Sequence, residues 1–164
     1  MARQIADWIG LFEHKKLIDI GCGVGKLCFL LSILTKHQIY GIEQRTNLVE
    51  IANRIIDLNE LSGVSIIEMN MLDLDWESFD IYYLYNPFQE HVEDDNLYIF
   101  DKDIELSSKL YAKYTSAVYR QLVWAKSGKI LITFHGYGGR IPNGWTMTST
   151  KLIKGGDLEM WIKD

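Results

Sequence analysis

The sequence predicts an α/β sandwich in which helices cover both faces of a mostly parallel β-sheet. Apolar segments of strand length alternate with segments of helical periodicity along most of the chain, as is typical of strands joined by crossover helices. A glycine-rich loop follows the first strand, and the last residues show a hairpin pattern. With 164 residues, 48% of them hydrophobic and 24% charged, and no repeat or linker, residues 1–164 suit a single domain.

The spacing of apolar residues predicts each element in order. The segment 1–14 carries Ile5, Trp8 and Ile9 at helical spacing, which predicts a helix ahead of a core over residues 15–163. Five apolar runs predict parallel strands, at 17–20, 38–42, 64–67, 81–85 and 129–134. Helical periodicity lies between them at 25–35, 46–59 and 107–125. The segments 146–154 and 158–163, on either side of a Gly-Gly turn, predict an antiparallel hairpin that brings the sheet to seven strands.

The composition disfavours several classes of protein. No apolar run approaches the roughly 20 residues of a membrane helix. Two cysteines and dispersed histidines predict neither a disulfide framework nor a metal site. We therefore expect a soluble, cytoplasmic protein without a membrane or metal partner. The net charge is −5, although residues 86–105 carry −6 and residues 106–164 carry +6. Since there is no overall basic surplus, a protein or a small molecule is favoured over nucleic acid as a partner.

The loop after the first strand is the most informative motif. Its sequence runs Asp19-Ile-Gly21-Cys-Gly23-Val-Gly25-Lys26. Glycines at such a junction permit positive φ and close approach of the backbone to a ligand, and the following helix offers free N–H groups. A dinucleotide fingerprint requires glycine where Lys26 stands, and a phosphate-binding P-loop requires serine or threonine after that lysine. Both patterns therefore fit poorly.

The same loop resembles the first motif of class I S-adenosylmethionine-dependent methyltransferases, Asp-x-Gly-x-Gly-x-Gly. The resemblance extends over about residues 15–163 and implies a Rossmann-like three-layer sandwich, with the seventh strand antiparallel between the fifth and the sixth. It also implies S-adenosyl-L-methionine as the cofactor. The cofactor-binding residues that it implies are Asp19, Gly21, Gly23, Gly25, Glu43, Gln44, Asn70 and Met71.

Two strand ends after the glycine loop fit the resemblance. Glu43 ends the second strand, where a carboxylate can accept both hydroxyl hydrogens of a ribose. Asn70 stands where the family usually has an acid that holds the adenine amino group, and its amide oxygen can accept the same hydrogen bond. Met71 would line the adenine with apolar surface or would simply fill the core.

The fourth strand ends in Asn86-Pro87-Phe88, which resembles the Asp/Asn-Pro-Pro-Tyr/Phe motif of enzymes that methylate amino groups, with one proline missing. These three residues are the catalytic candidates. The Asn86 amide oxygen and the Pro87 carbonyl would accept the amine hydrogens and orient the lone pair, while Phe88 would stack on the acceptor. Because a proline is missing, a plain strand-ending turn remains an alternative, and so does a carboxylate, hydroxyl or carbon acceptor. Beyond the fifth strand, His135 is a candidate base and Arg140 a candidate anion ligand.

Other functions remain open at this point. The segments 21–25 and 40–43 resemble those of Dot1-type protein-lysine methyltransferases, and the acidic segment 89–105 would suit a basic protein tail. About 14 residues precede the first strand, so we expect a cofactor site that is open or is covered by a partner or by the substrate. A non-catalytic S-adenosylmethionine-binding module or partner subunit is the main alternative. An NAD-dependent oxidoreductase is disfavoured by Lys26.

Overall fold

The structure, a computed structural model, describes residues 1–92 and 104–164, and they contain one seven-stranded sheet. Its strands are β1 (Lys16–Ile20), β2 (Gln38–Glu43), β3 (Val64–Glu68), β4 (Ile81–Tyr85), β5 (Ile130–Phe134), β6 (Trp145–Ile153) and β7 (Gly156–Lys163). The strand order is β3-β2-β1-β4-β5-β7-β6. Strands β1 to β5 are parallel, and β7 runs antiparallel between β5 and β6. The predicted Rossmann-like sandwich with its C-terminal hairpin is therefore confirmed.

Four α-helices accompany the sheet in the described residues. They are α1 (Ala2–Ile9), α2 (Lys26–Leu34), α3 (Thr46–Leu58) and α4 (Ser108–Trp124). The first helix is shorter than the predicted segment 1–14, because it ends at Gly10, a residue with low helix propensity. Its apolar face is nevertheless buried, since Ile5 and Ile9 have no exposed surface. Most of the acidic segment 89–105 lies outside the described residues.

Each face of the sheet carries its own core. Side chains alternate along the strands, so that Leu17 and Ile81 face one core while Ile18 and Tyr82 face the other. The helices α1, α2 and α3 pack on the first face, and α4 packs on the second. The central strands are buried on both faces, which explains why they are continuous apolar runs in the sequence.

The connection from β5 to β6 contains no helix. Residues 135–144 instead run along the second face, where Tyr137 is fully buried. At the start of β6, the indole Nε1 of Trp145 donates a hydrogen bond to the backbone oxygen of Leu122 at 2.9 Å. This bond attaches the hairpin to α4. None of the helices in residues 1–92 and 104–164 combines the length and the apolar character that crossing a membrane requires.

Candidate active site

The carboxyl ends of β1, β2, β3 and β4 surround a cavity of about 300 Å³. This is the edge of a parallel sheet at which ligands bind in doubly wound folds. Nine of the predicted site residues line the cavity: Gly21, Gly23, Glu43, Gln44, Asn70, Met71, Asn86, Pro87 and Phe88. The strand ends therefore bring together motifs that are up to 67 residues apart in the sequence.

Gly25 lies outside this lining. It is the N-cap residue of α2 and has a φ of 75°. A Cβ atom at this position would lie 3.0 Å from the ring of Phe29 and 3.2 Å from Cδ1 of Ile66. Glycine therefore allows α2 to pack closely against the sheet. Gly25 thus affects the packing of the loop and does not line the cavity.

Asp19 also lies outside the lining and is only 5% exposed. Its Oδ2 atom accepts a hydrogen bond from Sγ of Cys28 at 3.5 Å. The pKa of Asp19 is raised to about 7. Burial is the main cause, the Cys28 hydrogen bond acts in the opposite direction, and the nearby charge of Glu43 adds to the increase. The carboxyl group is thus partly protonated near neutral pH.

The first two glycines of the loop line the cavity and differ in their surroundings. A Cβ atom on Gly23 would have no neighbour within 4 Å, so its Cα faces open space. A Cβ atom on Gly21 would lie 3.2 Å from Cβ of Pro87, which shows how closely the β1 and β4 loops approach each other. Both glycines have positive φ, 74° and 56°. The backbone of Gly21 and Gly23 therefore forms a cradle in which a ligand can contact the main chain.

Glu43 is held in place by the backbone. Its Oε2 atom accepts a hydrogen bond from the amide of Gly23 at 3.1 Å, and its Oε1 atom accepts from the amides of Gln44 at 2.9 Å and Arg45 at 3.1 Å. The side chain is only 5% exposed. Three N–H donors thus fix the carboxylate and connect it to the glycine loop.

Sequence reasoning missed an ion pair at the cavity wall. Nη2 of Arg45, which follows β2, lies 2.5 Å from Oε2 of Glu90, which follows β4. Nη1 of the same guanidinium lies 3.6 Å from Oε1 of Glu43. The buried Nε of Arg45 has no hydrogen-bond partner in the part of the chain that the structure describes. No local pattern indicates the ion pair, because its partners are 45 residues apart.

Tyr114 of α4 is a second lining residue that the sequence did not indicate. Its hydroxyl accepts a hydrogen bond from Nδ2 of Asn70 at 2.8 Å, and Oδ1 of Asn70 accepts from the amide of Leu72 at 3.0 Å. The ring of Phe88 is 5.2 Å from the Tyr114 ring, with 13° between the planes, and Phe88 is only 5% exposed. The predicted stacking side chain therefore already packs against α4.

Asn86 has an unusual backbone conformation. Its φ is 40°, and its backbone N–H donates a hydrogen bond to the backbone oxygen of Gly136 at 2.9 Å. The residue after β5, His135, has a φ of 60°. Non-glycine residues in this region are strained and often occur at functional sites. The neighbouring strands β4 and β5 are thus each followed directly by a polar residue with a positive φ.

The other predicted side chains lie apart from the cavity. His135 is exposed and is not a lining residue. Nη2 of Arg140 donates to the hydroxyl of Tyr119 at 3.1 Å, so its guanidinium packs on α4. Within residues 1–92 and 104–164, no group of three His, Cys, Asp or Glu side chains is arranged to hold a metal ion.

Solved methyltransferase structures share this fold. An RNA methyltransferase from Salinibacter ruber, in complex with S-adenosyl-L-homocysteine, is similar with a TM-score of 0.68 and 14% identity, over 99% of this chain and 89% of that one. The putative methyltransferase yhhF from Escherichia coli is similar with a TM-score of 0.69 and 10% identity, over 99% and 85%. TrmN from Thermus thermophilus is similar with a TM-score of 0.70 and 13% identity, over 99% of this chain but 48% of that one.

The family is shown by the sequence itself. A family model described as a methyltransferase domain matches residues 11–136, whereas no curated protein sequence matches the chain. The matched range contains every residue that lines the cavity. The chain therefore belongs to this methyltransferase family and is a class I enzyme that uses S-adenosyl-L-methionine as its cofactor.

Proposed function

We propose that this enzyme methylates an amino group that Asn86 and Pro87 orient at the cavity wall. The observation that carries the proposal is the approach of the β4 loop to the glycine loop. Pro87 lies against Gly21, and Asn86 beside it is held at positive φ by its bond to Gly136. A group bound to the Asn86-Pro87 segment therefore lies next to the cradle that suits the cofactor.

The lining residues are suited to distinct parts of the cofactor. The backbone at Gly23, where a Cβ atom would meet nothing within 4 Å, leaves room for its amino-acid end. Glu43 is positioned to accept hydrogen bonds from the ribose hydroxyl groups. Asn70 and Met71 offer an amide and an apolar surface to the adenine ring. When bound, the cofactor supplies an electrophilic methyl group on a sulfonium.

The chain contributes orientation at the acceptor. The amide oxygen of Asn86 and the carbonyl oxygen of Pro87 accept the two hydrogens of the amine, which directs its lone pair into the cavity. The positive φ of Asn86 aims these groups, and the fixed φ of Pro87 limits their motion. Such positioning lowers the activation free energy of methyl transfer by roughly several kcal/mol, and it requires neither an acid nor a base.

Two substitutions of Asn86 test the proposal. Asn86→Gly removes the amide and tolerates the positive φ, whereas Asn86→Asp keeps an oxygen acceptor. Transfer of a labelled methyl group is measured onto the protein, RNA and small-molecule fractions of a cell extract. We expect the Gly variant to lose at least about 100-fold in rate, and the Asp variant to lose less.

Cofactor affinity and an exposed asparagine provide the controls. Calorimetry should give nearly equal dissociation constants for S-adenosylmethionine in the wild type and both variants, because Asn86 is assigned to the acceptor. Asn53→Gly, on the exposed surface of α3, should transfer methyl groups at the wild-type rate. Unchanged turnover in Asn86→Gly would overturn the proposal.

A further inference from the structure

We infer that the methylated amino group is carried by a planar aromatic ring, and that this ring stacks on Tyr85. This inference rests on the proposed function and specifies its acceptor. The chemical class is a heteroaromatic amine of the nucleobase type. Tyr85 presents the face that would bind it, and the buried Phe134 and the exposed His135 pack against the Tyr85 ring. We call these three residues the aromatic platform.

Tyr85 has the exposure that such a role requires. It is the last residue of β4, directly before Asn86, and it lines the cavity. Its relative exposure is 52%, whereas the four residues before it in β4 are at most 1% exposed. On the other side of the motif, Phe88 is buried against Tyr114. Of the two aromatic side chains that flank Asn86-Pro87, only Tyr85 presents a surface to a ligand.

The Tyr85 ring is held firmly. It meets the ring of Phe134 edge-on, with centroids 5.0 Å apart, and stacks on His135 at 5.9 Å with 27° between the planes. Phe134 is the residue that faces Tyr85 across the β4–β5 ladder. A platform built on two adjacent strands needs little ordering when a ligand binds.

The hairpin turn makes room for His135. A Cβ atom on Gly156 would lie 2.6 Å from Nδ1 of His135, which is too close for any other residue without a shift. The imidazole is therefore packed between the β6–β7 turn and Tyr85. Glycine at 156 leaves space for this close approach of the imidazole. The C-terminal hairpin thus supports the aromatic platform.

The ionisable side chains among the described cavity residues are already engaged, which leaves none of them free to deprotonate an alkylammonium acceptor. Glu43 accepts three backbone N–H groups, and Glu90 is paired with Arg45. Nδ1 of His91 accepts a hydrogen bond from the amide of Ser107, so its proton lies on Nε2.

These carboxylates and this imidazole are therefore already engaged, and an alkylammonium has no evident base among the described lining residues. An aromatic amine is neutral near pH 7 and needs no deprotonation before the transfer. Its nitrogen bonds the methyl carbon as the carbon–sulfur bond of the sulfonium breaks, and the methylated nitrogen then loses one proton to water. Its plane also covers the exposed Tyr85 ring and brings the amino group beside Asn86.

The test measures binding to the enzyme saturated with S-adenosyl-L-homocysteine. Saturation-transfer NMR and equilibrium dialysis are run with adenosine, cytidine, guanosine and Nα-acetyl-lysine amide. We expect at least one nucleoside to bind and to accept a labelled methyl group when S-adenosylmethionine is supplied. Single-stranded RNA is tested as a further acceptor. If RNA is methylated and the free nucleosides are not, the aromatic ring that stacks on Tyr85 belongs to a polymer. If neither a nucleoside nor RNA binds, or if the lysine derivative is the preferred acceptor, the inference is overturned.

Variants of Tyr85 give the second readout. Tyr85→Leu should weaken binding of the aromatic acceptor at least tenfold, and Tyr85→Phe should stay within about threefold of wild type. Both Tyr85 variants should bind S-adenosylmethionine with the wild-type dissociation constant. Trp124→Leu, which alters a 70% exposed aromatic residue outside the cavity, should behave as wild type.

The two proposals fail in different ways. If Tyr85→Leu keeps wild-type acceptor binding while Asn86→Gly loses turnover, the aromatic platform is wrong and the amine orientation stands. If Tyr85→Leu loses binding but Asn86→Gly is fully active, the role of Asn86 is wrong.

Discussion

Arg45 and Glu90 form an ion pair that joins the loops after β2 and β4 at the cavity wall. Their side chains are only 11% and 27% exposed. With Glu43, the described lining carries two carboxylates and one guanidinium, a net charge of −1. Burial lowers the pKa of His91, which disfavours its positively charged form. A cavity of this charge attracts a cationic ligand, and the sulfonium of S-adenosylmethionine adds a positive charge that its demethylated product lacks.

Glu90→Gln should weaken the binding of S-adenosylmethionine. The substitution keeps the shape of the side chain but leaves the Arg45 charge without this partner. We expect a loss of about 0.7–1.4 kcal/mol in binding, which is threefold to tenfold. S-adenosylhomocysteine, which lacks the sulfonium charge, should lose less affinity. Calorimetry with both ligands measures the difference.

The control for Glu90 is Glu77→Gln, which breaks the pair of Glu77 with Lys126. Those side chains are 65% and 70% exposed, so solvent screens their interaction. We expect no change in cofactor binding. An equal loss for both cofactor forms in Glu90→Gln would contradict the electrostatic explanation.

Gly23→Ala should separate cofactor binding from folding. The added Cβ atom enters open space at the cavity, and alanine at a φ of 56° costs about 1 kcal/mol of stability. We expect S-adenosylmethionine to bind at least tenfold more weakly. The matched control is Gly128→Ala before β5, where φ is 82° and a Cβ atom also meets nothing within 4 Å. It should lose similar stability in urea unfolding but bind the cofactor normally.

Glu43→Gln should weaken both cofactor forms, and S-adenosylmethionine somewhat more, because the substitution also removes a carboxylate charge from the cavity. The amide NH₂ would face the donating N–H of Gly23, and a neutral oxygen is a poorer acceptor for ribose hydroxyl groups. We expect a loss of about 1–3 kcal/mol for S-adenosylmethionine and for S-adenosylhomocysteine. Glu68→Gln alters the exposed carboxylate opposite Glu43 in the β2–β3 register, and should change neither affinity. Wild-type affinity in Glu43→Gln would exclude the ribose contact.

Asp19 should make the stability of the ligand-free protein depend on pH. Its pKa is raised from 3.8 to about 7 in the folded state. Between these values the folded chain binds more protons than the unfolded chain, so the free energy of unfolding falls as pH rises from 4 to 7. The contribution of this group is at most about 4 kcal/mol.

Urea unfolding of wild type and Asp19→Asn from pH 4.5 to 8 measures this effect. The asparagine side chain does not ionise, so the loss of stability with rising pH should be smaller in the variant. Parallel curves for the two proteins would show that Asp19 ionises normally in the folded state.

Much of the fold and part of the site could be predicted from the sequence, because those features depend on local pattern. Strands that are buried on both faces are apolar runs, and the residues that end them come to one edge of the sheet. The presence of Gly23, Glu43 and Asn86 at the cavity follows from that rule. The family match likewise covers the part of the chain in which these patterns lie.

The remaining features depend on packing between distant segments. Tyr114 reaches the cavity because α4 crosses the second face, and this crossing orients Phe88 toward the helix and not toward an acceptor. The burial of Asp19 depends on how tightly α2 packs, which sequence spacing does not reveal. The Arg45–Glu90 ion pair requires two loops to meet.

The position of β7 between β5 and β6 has a consequence for biosynthesis. In the described part of the sheet, β6 pairs with β7 and with no other strand. When β6 leaves the ribosome, its backbone therefore has no partner until residues 156–163 follow. We expect the nascent chain to protect β1 to β5 from proteolysis while the β6 segment is still cleavable. The aromatic platform, which rests on the hairpin turn, would then be completed last.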